Sequence, residues 1–166
     1  MNRSTPRLLG FTVVLVLTCA MAGHGQGPGK AGQPKVTPKL EPVAETKLLM
    51  EGLAHANFRG LEKLLSQPPA EVQSWTFARG QALLIAETAN LLMLRPPKNQ
   101  GQPVWFERSA DLRKQATQLA QTAAKQDYAA SRAEFKQLAV TCNRCHQTFR
   151  VDVEIVPFAM PPPKGE

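Results

Sequence analysis

The chain has 166 residues, with 20 Lys or Arg against 13 Asp or Glu, and a formal charge of +7 at pH 7. This length suits one domain of ordinary size. The basic residues are spread along the chain and only 6% of residues are aromatic, which excludes the concentrated basic surface typical of nucleic-acid-binding proteins. At most, this charge favours docking to an acidic partner.

The N-terminus has the features of a secretory signal peptide. Arg3 and Arg7 precede a short apolar run, and the sequence AMA at its end fits the small-x-small rule for signal peptidase cleavage. The run is shorter than the about 20 residues that cross a bilayer. We therefore predict a signal peptide at 1–22, a periplasmic mature protein and no membrane span in it. A minor alternative is a lipid anchor at Cys19, although VLTC is a poor lipobox.

Two segments are not expected to fold. Residues 23–41 are rich in Gly, Pro and Lys with few apolar side chains, so ordering them would cost more entropy than burial could offset. We predict a disordered linker there. Residues 157–166 form a proline-rich tail that is also not expected to pack. Between these segments lies one predicted domain, at 42–156.

This domain has the apolar spacing of amphipathic helices, at three- and four-residue steps. The helices are predicted at about 43–65, 69–94 and 104–126, with a fourth beginning after Asp127. Pro69 suits the first turn of its helix, and Asp127 is a plausible N-cap. Four long helices with short connections predict an all-α fold, an antiparallel up-down-up-down four-helix bundle. The segment VDVEIV after Arg150 alternates like a strand but has no partner strand, so we expect a helix continuation or an extended tail.

A cluster of two cysteines and a histidine lies near the C-terminus, in AVTCNRCHQTFR. A redox dithiol normally lies at a helix N-terminus in a βαβ unit, whereas this motif ends a helical stripe. A disulfide between Cys142 and Cys145 would close a very small loop. Zinc would need a second pair of ligands, and the chain after the signal peptide has no other cysteine. These three alternatives are therefore weak.

Haem attachment explains the same residues better. Two thiols three residues apart, Cys142 and Cys145, can bond to the two vinyl groups of one porphyrin, and His146 then serves as an axial iron ligand. Cys142 and His146 are four residues apart and share one helix face. Export supports this interpretation, because such attachment is made outside the bacterial cytoplasm. The sequence thus predicts one covalent haem c, attached to the last helix inside the bundle.

A four-helix chain with CNRCHQTFR on its last helix resembles the cytochrome c-prime family and its low-spin relatives. Phe149 and Arg150 match the aromatic and basic pair that follows the motif in that family, which implies that Arg150 lies on the proximal side of the haem. The stretch PVWFERSADL is similar to the family's entry to the third helix, although one residue is missing between Pro103 and Trp105. The resemblance covers roughly residues 43–150.

The sixth coordination position of the iron decides between the family's two types. High-spin members place a bulky apolar residue there and low-spin members a methionine. KLLMEGLAHANFRGLEKLL resembles the low-spin pattern, which implies Met50 as the second axial ligand; from its residue type alone, Met50 is as well explained as bundle core. His55, five residues further on, is expected to be rotated off the face that carries Met50, as a surface or rim histidine. His24, Met93 and Met160 are weaker candidates.

These observations lead to an expected function. We expect an exported mono-haem c-type cytochrome that transfers electrons by Fe(III)/Fe(II) cycling with His/Met ligation. Its expected partners are redox proteins in the periplasm, and the resemblance also allows a homodimer. The alternative is a five-coordinate cytochrome that binds nitric oxide or carbon monoxide at an open distal site. An enzyme is not expected, because the sequence offers no distal acid–base pair of the kind that a peroxidase needs.

Overall fold

The structure, a computed structural model, describes residues 39–98 and 101–158. The predicted signal peptide, most of the predicted linker and the last eight residues of the predicted tail lie outside these residues. Within the described part there are four long helical regions and no strands. The predicted all-α fold is confirmed.

The first helical region spans 46–64 and changes its winding along its length. A short α-helical turn, Thr46–Leu49, leads into a π-helical segment, Met50–His55, and α-helix resumes over Ala56–Leu64. The other three helices are regular and span Val72–Met93, Gln102–Ala124 and Tyr128–Thr148. π-helical turns are rare and are often found at functional sites.

The four helices pack as the predicted bundle. Each helix contacts the next one in chain order, and the first and fourth meet where the rings of Phe58 and Phe135 stack with centroids 4.4 Å apart. Small and aliphatic residues fill the centre, and Leu61, Ala82, Leu119 and Leu138 have no exposed surface. The short connections and sequential packing agree with an antiparallel four-helix bundle.

Helix starts follow local capping chemistry, with one difference from prediction. The Asp127 carboxylate accepts a hydrogen bond from the Ala130 amide at 3.0 Å, as expected of an N-cap. The second helix begins at Val72 rather than at Pro69. Glu71, which precedes the helix, has an extended backbone. The Pro69 carbonyl accepts a hydrogen bond from the Trp75 indole at 3.2 Å and not from a backbone amide of the helix.

The fourth helix ends in a Schellman motif that reverses the chain. The Val151 amide donates to the His146 carbonyl at 2.9 Å, and the Arg150 amide donates to the Gln147 carbonyl at 3.3 Å. Arg150 has φ of 55°, the left-handed conformation that this motif requires. Residues 151–156 then have no regular secondary structure, so the helix continuation is wrong.

The described part of the molecule ends with the residues that follow this reversal. We call 151–158 the return segment, because it contacts progressively earlier residues of the fourth helix, from His146 through Asn143 to Phe135. Ile155 and Phe158 pack against the core. Packing therefore continues to position 158, within the proline-rich tail predicted at 157–166. A search of the described helices finds none that is long and apolar enough to span a membrane.

Candidate cofactor site

One cavity of about 630 Å³ lies between the helices and the return segment. Every helix contributes to its wall, and most of that wall is apolar, including Phe58, Ile85, Leu92 and Leu112. Its volume is within the roughly 300–1,000 Å³ of typical cofactor and ligand sites. A largely apolar wall of this kind excludes water and strengthens electrostatic effects inside.

The predicted attachment residues lie on this wall. Cys142, Cys145 and His146 all line the cavity from the last two turns of the fourth helix. The two thiols are free. Burial raises the pKa of the Cys142 thiol to about 12, and the neighbouring Cys145 adds to the rise. Burial also raises the pKa of Cys145, partly offset by the charges of Arg108 and Arg144.

These raised pKa values bear on the alternatives to haem. Redox dithiols react as thiolates and have lowered pKa values, so buried thiols with raised pKa values do not favour a dithiol site. No group of three or more His, Cys, Asp or Glu side chains suited to a metal ion occurs among the described residues. The zinc alternative thus gains no support from this part of the chain.

The His146 side chain is oriented by the return segment. Its Nδ1 lies 2.9 Å from the Val153 carbonyl oxygen. Because a carbonyl oxygen only accepts hydrogen bonds, Nδ1 is the donor nitrogen of this contact, and in the neutral ring Nε2 is then the nitrogen with the free lone pair. Metal-ligating histidines are commonly held in this way through their other ring nitrogen. The arrangement leaves Nε2 of His146 available to bind iron.

The first helix supplies the opposite candidate ligand. Met50 is half-buried at the first position of the π-helical segment and lines the cavity. His55 lines the same cavity, although its side chain is largely exposed. This exposure agrees with the predicted surface or rim position, and the π-helical segment, whose hydrogen bonds join residues five apart, accounts for its place on the same cavity as Met50. Met93 is not part of this wall.

Two aromatic residues close the end of the cavity near the third helix. Trp105 and Phe149 meet edge to face with centroids 5.1 Å apart, and both line the cavity. The Trp105 indole donates to the Leu92 carbonyl at 2.7 Å, which fixes its ring. Gly101 precedes this helix with φ of 83°, a conformation that favours glycine. The Gly101 turn thus sets the position of Trp105 against the cysteine-bearing helix.

Arg108 is a cavity residue that the sequence did not single out. It donates from Nη1 to Asp111 Oδ2 at 2.9 Å and to Glu107 Oε1 at 3.0 Å. Its buried Nε has no hydrogen-bond partner among the described residues. Asp111 Oδ2 also accepts from Arg144 at 2.6 Å. A cation inside an apolar cavity, with a donor left over, is suited to a carboxylate of a bound group.

Arg150 lies in the turn that ends the fourth helix. Its side chain is exposed and is not part of the cavity wall. Its backbone, however, is the left-handed residue of the Schellman motif and so directs the return segment over His146. Contact between the Arg150 side chain and a haem stays a prediction.

The residues present fit a haem c group. Two free thiols and a histidine with a pre-oriented ring line a cavity of suitable size, and a thioether from another helix lines the same cavity. Arg108 places a positive charge on the same cavity, which suits a group that carries carboxylates. Cys142 and Cys145 would hold the group covalently, while His146 would bind its iron.

Sequence reasoning missed the return segment as part of the site. Val151, Val153 and Ile155 all line the cavity. The signal was present, because apolar residues at every second position place one face of an extended chain on an apolar surface. That surface is the bundle itself rather than a partner strand.

The part of the chain that forms the third and fourth helices is similar to a known protein family. A family model described as Cytochrome C' matches residues 101–150, which include the third helix, the fourth helix and the haem-binding motif. No curated protein matches the chain, and no solved structure matches it. The match confirms the resemblance to the cytochrome c-prime family over these residues and favours a haem c cytochrome, while the low-spin, methionine-ligated type stays a prediction.

Proposed function

We propose that this relative of the cytochrome c-prime family is an exported mono-haem cytochrome that carries electrons, with His146 and Met50 as axial ligands. The observation that supports it best is the convergence of Met50, Cys142, Cys145 and His146 on one apolar cavity. These residues come from opposite ends of the folded chain, so only the bundle brings them together. When bound, haem c supplies a one-electron Fe(III)/Fe(II) couple.

The chain's own residues have distinct parts in this function. The cysteines tether the group, and His146 presents Nε2 while Nδ1 is held by Val153. The Met50 thioether is a soft ligand that favours ferrous iron and raises the reduction potential. Apolar walls at Phe58, Ile85 and Leu92 exclude water, which also favours the less charged ferrous state. Two retained protein ligands would keep the structural change on electron transfer small.

The test is the absorption spectrum of the reduced, haem-loaded protein with and without carbon monoxide. We expect sharp low-spin bands and no carbon monoxide binding in the natural chain. Met50→Leu should become high-spin and bind carbon monoxide, because it removes the sulfur ligand while keeping an apolar side chain. Met93→Leu is the matched control, since Met93 is half-buried but outside the cavity wall.

A different spectrum would support the other ligation state. A broad high-spin Soret band and ready carbon monoxide binding in the natural chain would contradict Met50 ligation. They would instead favour the five-coordinate cytochrome that binds nitric oxide or carbon monoxide at the distal face. The absence of covalent haem in protein matured in a bacterial periplasm would contradict both functions.

The proposal also holds that the protein is exported, that its partners are redox proteins of the periplasm, and that it acts as an electron carrier rather than an enzyme. The signal-peptide features of residues 1–22 support export. N-terminal sequencing of the haem-containing protein should find Gly23 as the first residue. An intact N-terminus in a cytoplasmic fraction would contradict export, and a lipid-modified Cys19 would support the anchored alternative.

A further inference from the structure

The return segment is held to the fourth helix by a two-point clamp. Asn143 Nδ2 donates to the Ile155 carbonyl at 2.8 Å, and the Ile155 amide donates to Asn143 Oδ1, also at 2.8 Å. The side-chain amide therefore satisfies both backbone groups of one residue, as a neighbouring strand would. Asn143 lies between the two cysteines and is half-buried. The clamp is thus built into the haem-binding motif.

The same segment is fixed at its two ends. At its start, the Schellman motif bonds the Val151 amide to the His146 carbonyl. At its end, the centroid of the Phe158 ring lies 5.2 Å from the centroid of the Phe135 ring. The same Phe158 centroid lies 3.8 Å from the guanidinium carbon of Arg132. The Phe158 amide also donates to Glu62 Oε1 at 2.6 Å. Between these fixed points, the Val153 carbonyl meets His146 Nδ1.

We infer that the return segment is a positioning element for the iron ligand, in which Asn143 holds Ile155 and thereby keeps the Val153 carbonyl on His146 Nδ1. The inference rests on the proposed function, because it takes His146 as the axial ligand. Val153 and Asn143 act through His146 and are positioning residues. Three parts of the motif then have three tasks: the cysteines tether, His146 ligates and Asn143 secures the residue that orients it.

The hydrogen bond to Val153 has a chemical consequence besides orientation. An Nδ1–H that donates to a carbonyl makes the imidazole more basic at Nε2, which strengthens its donation to ferric iron. The bond therefore lowers the reduction potential and opposes the effect of a thioether ligand. Val151, Val153 and Ile155 also cover the cavity with apolar surface, which raises the potential by excluding water. The two effects have opposite signs, so variants can separate them.

The central variant is Asn143→Ala in the haem-loaded protein. It removes both hydrogen bonds to Ile155 and should release the Val153 carbonyl from His146. In the reduced state, NMR should then show faster solvent exchange of the His146 Nδ1 proton by at least tenfold. The reduction potential should rise, because the imidazole donates less charge. Asn143→Asp retains the acceptor for the Ile155 amide and should give a smaller change in proton exchange.

Two matched variants separate this role from others. Val153→Ala keeps the carbonyl and trims the apolar cover, so proton exchange should stay slow while the potential falls. Arg144→Ala changes the other residue between the cysteines, whose hydrogen bond goes to Asp111, and proton exchange should stay slow there as well. Equal proton exchange and potential in Asn143→Ala and the natural chain, with haem attached and His146 bound, would overturn the inference.

The result that would contradict the proposed function differs from the result that would overturn this inference. If the natural chain carries no covalent haem, or if His146→Ala leaves the haem spectrum unchanged, His146 is not the ligand. That outcome rejects the proposed ligation and the inference with it. If the haem spectrum, whether low-spin or high-spin, changes in His146→Ala, then His146 is the ligand. The Asn143 variants then decide whether the return segment positions it.

Discussion

Met50 and His55 line the same cavity although they are five residues apart in one helical region. The π-helical winding of Met50–His55 accounts for this, because its hydrogen bonds join residues five apart, whereas those of an α-helix join residues four apart. The cavity thus has a thioether and an imidazole on the wall formed by the first helix. Either group is chemically able to bind haem iron.

The first prediction concerns this second group. Met50→Ala removes the sulfur and leaves space beside the iron, and His55 is the nearest ligand type on the same face. We expect carbon monoxide to bind more tightly to Met50→Ala/His55→Ala than to Met50→Ala, because the single variant retains a competing imidazole. Carbon monoxide titration of the reduced proteins measures this. Equal affinities would show that His55 does not reach the iron, and His55→Ala alone should keep the natural spectrum.

The second prediction concerns glycines in the helices. A Cβ built at Gly52, inside the π-helical segment, meets no atom within 4 Å, and the same holds for Gly80 in the second helix. Gly80→Ala should raise the free energy of unfolding by about 0.5–1 kcal/mol, since alanine loses less backbone entropy. Gly52→Ala should give a similar gain if glycine's conformational freedom is not needed for the π-helical turn. Urea unfolding of the two variants measures the difference.

Gly60→Ala is the control for close packing. Its Cβ would lie 2.5 Å from Gln81 Nε2 on the neighbouring helix, so the Gln81 amide must move. We expect a smaller gain than for Gly80→Ala, or a loss. A clear loss for Gly52→Ala, with Gly80→Ala stabilising, would show that the π-helical segment requires glycine.

The helical parts of the fold were predictable because their signals are local. Asp127 caps a helix through its own side chain, and the apolar stripe that carries Cys142 and Phe135 follows directly from helical spacing. The second helix was placed three residues too early because the Pro69 carbonyl bonds to Trp75 instead. That contact depends on side-chain packing, which spacing alone does not encode.

The attachment residues of the site were predictable from the sequence, whereas most of the residues that surround them were not. Cys142, Cys145 and His146 form a contiguous motif, so their chemistry is visible in the sequence. The position of His55 on the cavity depends on a π-helical turn. The position of Arg108 depends on how the third helix packs against the other helices. The return segment shows its apolar alternation, but the surface it covers exists only after the bundle has folded. These features depend on tertiary structure.

The third prediction tests the cap of the fourth helix. Asp127→Ala removes the acceptor for the Ala130 amide and should lower the free energy of unfolding by about 0.5–2 kcal/mol. Asp127→Asn should preserve most of the stability, because asparagine caps about as well. Asp152→Ala, a change of the same charge at an exposed residue, is the control. Urea unfolding with no difference between the two alanine variants would contradict the capping role.

The last prediction concerns the charge inside the cavity. Arg108 lines the cavity with a buried, unpartnered Nε, and its charge already acts on Cys145 by opposing the rise in that thiol's pKa. Arg108→Leu should therefore lower the reduction potential of the haem-loaded protein, because the lost positive charge had favoured the ferrous state. The effect should be large because solvent and salt screen buried charges poorly.

Arg113→Leu provides the matched control for Arg108→Leu. It removes the same charge from the same helix, but Arg113 is exposed and bonds to Asn90 Oδ1 at 2.9 Å. Redox titrations at low and high salt should show a larger shift for Arg108→Leu that persists at high salt, and a small shift for Arg113→Leu that disappears. If both shifts are equal and both vanish with salt, Arg108 acts only through net charge. A persistent difference would instead identify Arg108 as a cation that acts on the haem from within the cavity.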